Sequence, residues 1–162
     1  MFKSKKAAIS AVLCLLCLLW AGMIFLLSMQ NGEQTAAVSG GIAKTIANIL
    51  YLGPTEQQIQ TVHAAIRKLA HVGLFLIWGL LLSAAALYMS RQRRGVAMGI
   101  AAVLLIAYAF FDEWHKIFID GRHFSFSEAV LNAVSGLVAI GLTYFFAELT
   151  VKRRRKQIPT KS

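Results

Sequence analysis

Residues 7–28 read AAISAVLCLLCLLWAGMIFLLS and contain no acidic or basic side chain. At a rise of about 1.5 Å per residue, a helix of this length exceeds the roughly 30 Å hydrocarbon core of a bilayer. Three further apolar runs follow, at about residues 69–89, 95–111 and 128–149. Lipid offers the backbone no hydrogen-bond partner, so each run is predicted to form a transmembrane helix.

The composition agrees with a membrane protein. Of the 162 residues, 57% are hydrophobic and 15% are charged, whereas soluble domains hold roughly 45–50% apolar and about 25% charged residues. This excess excludes a water-soluble globular enzyme and a disordered chain. We therefore predict an all-α, polytopic membrane protein with four transmembrane helices and a short amphipathic helix in the outer loop. The length predicts a single domain over residues 1–162.

The first outer loop, residues 29–66, is long enough to contain ordered structure. Isoleucines recur in it at helical spacing, at Ile42, Ile46 and Ile49. This spacing predicts a short amphipathic helix on the outer leaflet. Gly53 and Pro54 end that helix, and Thr55 with Gln58 three residues later predicts a capping box for the next one. The helix that begins there is expected to continue into the second span.

The distribution of basic residues predicts the orientation. Twelve of the 17 lysines and arginines lie in residues 1–6, 90–94 and 150–162, which an even number of spans places on one side. Because basic residues favour the cytoplasmic side, both termini are predicted to be cytoplasmic. The net charge of +10 is then explained by helix-flanking residues near anionic lipid. The predicted partner is therefore the lipid bilayer and not nucleic acid, and the sequence leaves room for an oligomer.

Polar residues gather at the outer ends of the last three spans, while the middles of these spans contain no ionisable group. Ion pumps and proton-coupled carriers need such groups near the midplane, so these transport classes are not favoured. Asp112 shares a helix face with His115 and Lys116, whereas Glu113 is turned about 100° away. If the polar faces point inward, the three helices form one polar cup at headgroup depth. The candidate ligand-binding residues are Arg67, Lys68, His71, Asp112, Glu113, His115, Lys116, Arg122, Glu128 and Asn132.

Each of these residues also has a purely structural interpretation. Ser125 and Glu128 form the sequence pattern of a capping box. Lys116 can form a surface ion pair with Asp112, and Arg67 can extend to lipid phosphates. The convergence of three helix ends favours a site, because a charge at the membrane edge is costly unless it is paired or used.

Several polar motifs lie in a fixed order over about residues 60–145. They are Arg67-Lys68-Leu69-Ala70-His71 followed by Phe75, Asp112-Glu113-Trp114-His115, Gly121-Arg122, Ser125, and the stretch from Glu128 to Asn132. In this order and spacing they resemble the VanZ-like family. The resemblance implies a small multi-pass protein of the bacterial cell envelope, here placed in the plasma membrane. It also implies an association with low-level resistance to the glycopeptide teicoplanin. The family usually has Gln at the position of Lys116 and Asp at the position of Glu128.

Three functions remain open from the sequence. The first is a binding or accessory protein whose Arg67, Lys68 and Arg122 attract a phosphate at the outer leaflet. Its candidate ligands are polyprenyl-linked wall precursors and anionic phospholipids, which are both components of the membrane.

The second is a membrane-embedded hydrolase or transferase that acts on a phosphate-containing lipid or wall precursor. Asp112, Glu113, His115 and His71 are its candidate catalytic residues, with or without a divalent metal ion. Their spacing matches no known catalytic motif, so the sequence assigns neither a cofactor nor a metal. The third function is structural, with the helix bundle acting as a partner in a larger envelope complex.

Overall fold

A computed structural model describes the backbone of residues 2–30, 32–90 and 92–157 and the side chains of residues 5–30, 40–90 and 92–153. Within these ranges the chain forms α-helices joined by short connections, one 3₁₀ turn, and no strand. The helices are α1 (Phe2–Ser28), α2 (Gly32–Tyr51), α3 (Glu56–Met89), α4 (Arg94–Trp114) and α5 (Phe126–Gln157). The 3₁₀ turn, His115–Phe118, directly follows α4. Six of the basic side chains used to predict the orientation lie outside the described residues: Lys3, Arg91, Arg154, Arg155, Lys156 and Lys161.

Four of the helices, α1, α3, α4 and α5, are long and apolar enough to cross a membrane. Each contains one of the four apolar runs, so the predicted all-α fold with four transmembrane helices is confirmed. We call the end of the bundle where α1 and α4 end and α5 begins the outer end, following the predicted orientation. The opposite end, at the turn between α3 and α4, is the inner end.

The outer-loop helix is confirmed and is longer than the isoleucine pattern indicated. α2 contains 20 residues, and its buried Ala43 and Ala47 pack against Val62 of α3. The chain reverses at Leu52 and Gly53, both of which have positive φ. α3 then begins with the capping box that the sequence predicted between Thr55 and Gln58. The placement of α2 on a leaflet stays a prediction.

α3 and α5 approach each other closely at two glycines. A Cβ atom on Gly136 would meet Leu105 Cδ1 of α4 at 2.3 Å, and a Cβ atom on Gly79 of α3 would lie 2.5 Å from the carbonyl oxygen of Gly136. At Gly79 only a residue without a side chain allows α3 this close to α5, an approach that also occurs at small-residue contacts between membrane helices. The contact brings the outer ends of α3 and α5 together, and those ends carry most of the candidate site residues.

α1 is attached to the bundle by hydrogen bonds between a side chain of one helix and a backbone carbonyl of another. The indole of Trp20 donates a hydrogen bond to the Leu74 carbonyl at 3.0 Å, and the indole of Trp78 donates to the Cys17 carbonyl at 3.1 Å. The Tyr108 hydroxyl of α4 donates to the carbonyl oxygen of Ala21. α1 therefore packs against α3 and α4 and brings its end, Ser28, to the outer end of the bundle.

Candidate functional site

Four alternating charges connect α3, α4, the 3₁₀ turn and α5 at the outer end. The Lys116 ammonium pairs with Glu113 and lies 3.6 Å from Glu128 Oε2. The other carboxylate oxygen of Glu128 lies 3.8 Å from Arg67 Nη2. We call Glu113, Lys116, Glu128 and Arg67 the ion-pair chain. The side chains of Lys116 and Glu113 are 2% and 0% exposed, so the Glu113–Lys116 end of the ion-pair chain is buried in the protein interior.

Lys116 does not form the surface ion pair with Asp112 that the sequence allowed. Its ion pairs are with Glu113 and Glu128. Residues three apart are neighbours on a helix surface, as residues four apart are, so Lys116 can reach Glu113 as readily as Asp112. The surface pair of Lys116 and Asp112 considered from the sequence is replaced by buried pairs.

Asp112 faces α1 instead. Its carboxylate is 0% exposed, and Oδ2 accepts a hydrogen bond from the Ser28 hydroxyl at 3.0 Å. The ring of Phe25 packs against the His115 imidazole, with the centroids 4.5 Å apart. The polar region thus has two parts, the ion-pair chain between α3 and α5 and the Asp112–Ser28 contact between α4 and α1.

Arg122 connects the second outer loop to the end of α1. Its Nη2 donates a hydrogen bond to the Gln30 carbonyl at 2.8 Å. Partial burial lowers the pKa of the Arg122 guanidinium, which nevertheless remains charged because the pKa of arginine is so high. This contact fixes the loop over the outer end of the bundle.

Eight buried polar side-chain atoms at the outer end have no hydrogen-bond partner within the described part of the chain. They are His71 Nδ1, Asp112 Oδ1, Glu113 Oε2, both ring nitrogens of His115, Arg122 Nε, and both amide atoms of Asn132. A buried polar group left unpaired costs about 1–3 kcal/mol. All eight belong to residues that the sequence predicted for the site. Such a concentration of unpaired groups favours occupation by water or by a polar ligand.

A shallow cleft lies between α3 and α5 above these groups. It holds no space for a water-sized molecule in this structure, so a ligand would reach its floor only if the side chains at its mouth move apart. It is lined by Arg67, Lys68, His71, Glu128, Leu131 and Asn132. Asn132 is 1% exposed, whereas the Arg67 side chain is 35% exposed. The amide therefore forms the floor of the cleft and the guanidinium its mouth. We call this recess the outer cleft.

The charges at the outer end are balanced. With the histidines neutral and the carboxylates ionised, four cations face four anions: Arg67, Lys68, Lys116 and Arg122 against Asp112, Glu113, Asp120 and Glu128. Within the described side chains, no three His, Cys, Asp or Glu residues are grouped so that they could hold a metal ion.

A comparison with models of known protein families identifies the family of this chain. The family model described as VanZ/LLP1 matches residues 13–147. The chain belongs to the VanZ-like family. This confirms the resemblance drawn from the polar motifs, and the match also includes most of α1, which those motifs did not cover. A search of curated proteins and a search of solved structures found no match.

In this VanZ-like protein the predicted residues fall into three groups. The outer cleft brings together Arg67, Lys68, His71, Glu128 and Asn132. Glu113 and Lys116 continue the ion-pair chain below it. Asp112, His115 and Arg122 instead lie against α1 or its end.

Sequence reasoning missed the part that α1 plays in the site. Ser28 is 1% exposed and binds Asp112, and Gln30 binds Arg122 through its backbone. Neither residue gave a signal, because a polar residue at the end of an apolar run is also expected where a transmembrane helix ends. A backbone carbonyl acceptor leaves no trace in the sequence at all.

Proposed function

We propose that this VanZ-like protein binds a phosphate-bearing lipid headgroup in the outer cleft, from the outer leaflet of a bacterial plasma membrane. The observation that carries the proposal is the pairing of an accessible cation with a buried unpaired amide. Arg67 is 35% exposed at the mouth. Asn132, 1% exposed at the floor, has no partner for either amide atom among the described residues.

The guanidinium of Arg67 is available to a ligand. Its ion pair with Glu128, at 3.8 Å, is longer than a hydrogen bond, and the group makes no hydrogen bond to any described side chain or backbone atom. Arginine binds phosphate through two parallel hydrogen bonds. A phosphate could take Arg67 without leaving Glu128 unpaired, because Glu128 also pairs with Lys116.

The remaining unpaired atoms favour a headgroup that carries hydrogen-bond donors as well as phosphate. At the floor of the outer cleft, Asn132 Oδ1 is an acceptor without a donor and Asn132 Nδ2 is a donor without an acceptor. Glycerol, sugar and peptide groups offer hydroxyl or amide donors. Two membrane components combine such groups with phosphate: polyprenyl-linked wall precursors and anionic phospholipids such as phosphatidylglycerol.

The proposal includes one domain and an orientation with both termini in the cytoplasm, which rests on the lysine and arginine distribution. Cysteine labelling tests the orientation. In intact cells, a membrane-impermeant maleimide should label Leu52→Cys at the α2–α3 turn, where Leu52 is 93% exposed. It should label Gln92→Cys at the α3–α4 turn only after permeabilisation. The reverse pattern would overturn the orientation.

The binding experiment compares two arginines in matched ion pairs. Arg94 Nη1 lies 3.8 Å from Glu148 Oε1, with side chains 28% and 36% exposed, but at the inner end. Undecaprenyl phosphate and phosphatidylglycerol are titrated separately into phosphatidylcholine nanodiscs that contain wild-type, Arg67→Ala or Arg94→Ala protein. Loss of a hydrogen-bonded charged contact predicts about 10- to 100-fold weaker binding for R67A.

For R94A we expect undecaprenyl phosphate affinity within about twofold of wild type, a change too small to reflect a lost charged contact. The lipid that R67A binds more weakly than wild type does is the one whose headgroup binds in the outer cleft. Equal affinities of R67A and wild type for both lipids would contradict the proposal. If R67A lost binding only in step with a lower unfolding temperature, Arg67 would instead serve bundle assembly. Headgroup turnover that disappears in Asp112→Asn and His115→Ala would add catalysis to binding.

The family's association with teicoplanin resistance can be tested in cells. Cells that express wild-type protein are compared with cells that express R67A and with cells that carry no copy of the gene. If headgroup binding in the outer cleft underlies the association, only the wild-type protein should lower teicoplanin susceptibility. Equal protection by R67A would separate resistance from the outer cleft.

A further inference from the structure

A second recess lies on another side of the bundle, between α1, α3 and α4. It encloses about 710 Å³ and is lined almost entirely by apolar side chains. Small residues of α3 and α4, among them Ala86, Ala97 and Ala101, leave space where α1 and α4 would otherwise touch. We call this recess the apolar groove. It shares no lining residue with the outer cleft.

The groove arises because α1 and α4 meet only toward the outer end. There the Tyr108 hydroxyl donates to the Ala21 carbonyl, and the Tyr108 ring packs on Trp78 with centroids 4.6 Å apart. These contacts close the groove toward the outer end. Toward the inner end it continues to Met89 and Ser90, at the end of α3.

The length of the groove matches one leaflet. Its lining residues on α4 run from Ala97 to Tyr108, which at about 1.5 Å per residue spans roughly 16 Å. Half of a hydrocarbon core of about 30 Å is about 15 Å. The groove therefore has about the length of a single acyl chain that enters from the inner end.

A cation stands at the inner end of the groove. Arg93 directly precedes α4, at the end of the bundle where the groove opens beside Ser90 and Ala97. Its side chain is exposed and makes no capping hydrogen bond. A lipid whose chain lies in the groove would have its headgroup at this level. Phosphate is the headgroup component that an exposed arginine attracts.

We propose that the apolar groove binds one acyl chain of an anionic glycerophospholipid from the inner-end leaflet, with the lipid phosphate against Arg93. Association within a membrane is driven by packing, because lipid tails are as apolar as the groove. An acyl chain in the groove makes van der Waals contacts with lining side chains that otherwise face an unfilled gap. This site shares α3 with the outer cleft but no lining residue, and it uses another leaflet and another arginine, so either proposal can fail alone.

Native mass spectrometry of the full chain tests the proposal. Protein carrying Arg67→Ala, which removes headgroup binding at the outer cleft, is released from nanodiscs of equimolar phosphatidylglycerol and phosphatidylcholine. We expect one retained lipid per chain, predominantly phosphatidylglycerol. Adding Arg93→Ala should reduce the preference for phosphatidylglycerol by about fivefold, the effect of one basic residue near an anionic membrane surface.

Filling the groove provides the matched comparison. Ala97→Trp places an indole in the groove and should abolish lipid retention. Val103→Trp, on a side chain of the same helix that is 66% exposed and outside the groove, should leave retention unchanged. Ala86→Trp fills the groove from α3 and replaces Ala97→Trp if that variant does not fold. Equal retention in groove-filling and Val103→Trp proteins, or no phosphatidylglycerol preference in the parent, would overturn the proposal.

Discussion

Replacing Lys116 with methionine tests the ion-pair chain. The lysine is 1% exposed and pairs with Glu113 and Glu128. Methionine is also long and unbranched, so the substitution removes the charge with little change in packing. Glu113, 0% exposed, would then be a buried carboxylate without a cation. Removal of one partner from a buried ion pair costs about 3–5 kcal/mol, so K116M should lower the free energy of unfolding by that amount.

The assay is thermal unfolding in maltoside micelles, followed by near-ultraviolet circular dichroism because that signal reports tertiary packing. Lys44→Met, at an exposed position on α2, is the matched control and should unfold at the wild-type temperature. Glu113→Gln combined with K116M should recover part of the loss, since the unpaired charge is removed. If K116M unfolded at the same temperature as K44M, the buried pairing of Lys116 would be refuted.

Two further substitutions test helix contacts by the same unfolding assay. Gly79→Ala should cost about 1–3 kcal/mol, because the new Cβ meets the Gly136 carbonyl at 2.5 Å. Gly99→Ala, with no atom within 4 Å of the new Cβ, should cost nothing, and equal effects would contradict the close approach. Ser28→Ala should cost about 1.5–3 kcal/mol, because buried Asp112 loses a donor at 3.0 Å. Combining it with Asp112→Asn should reduce that cost, and unchanged stability of S28A would contradict the contact.

Features governed by local chemistry could be predicted from the sequence. The apolar runs determine four helices because the bilayer allows the backbone no other hydrogen-bonded form. The capping box of Thr55 and Gln58 formed as predicted, because it involves residues only three apart. The outer-loop helix was also predicted, although the isoleucine spacing gave too short a length for it. All predicted site residues lie at the outer end. Successive spans cross the membrane in opposite directions, so the second and fourth spans begin on the side where the third span ends, and the predicted residues lie at those three ends.

Features that depend on how helices meet could not be predicted. The Ser28–Asp112 hydrogen bond joins residues 84 apart and depends on the docking of α1. The pairing of Lys116 with Glu128 joins the 3₁₀ turn to α5 and depends on how these two elements meet. The apolar groove results from alanines such as Ala97, whose small side chains fit equally well in a tight helix contact.

Arg67 is the residue on which the proposed function depends most. Arg93→Ala protein, which lacks the second proposed phosphate contact, is labelled with ¹³Cζ-arginine and saturated with undecaprenyl phosphate in frozen maltoside micelles, whose detergent contains no phosphorus. Solid-state NMR then measures ¹³C–³¹P dipolar coupling. A phosphate bound in the outer cleft predicts a coupling in Arg93→Ala and in Arg93→Ala/Arg94→Ala, and its loss in Arg93→Ala/Arg67→Ala. A coupling that persists in Arg93→Ala/Arg67→Ala, or no coupling in Arg93→Ala, would contradict the assignment of the outer cleft as a phosphate site.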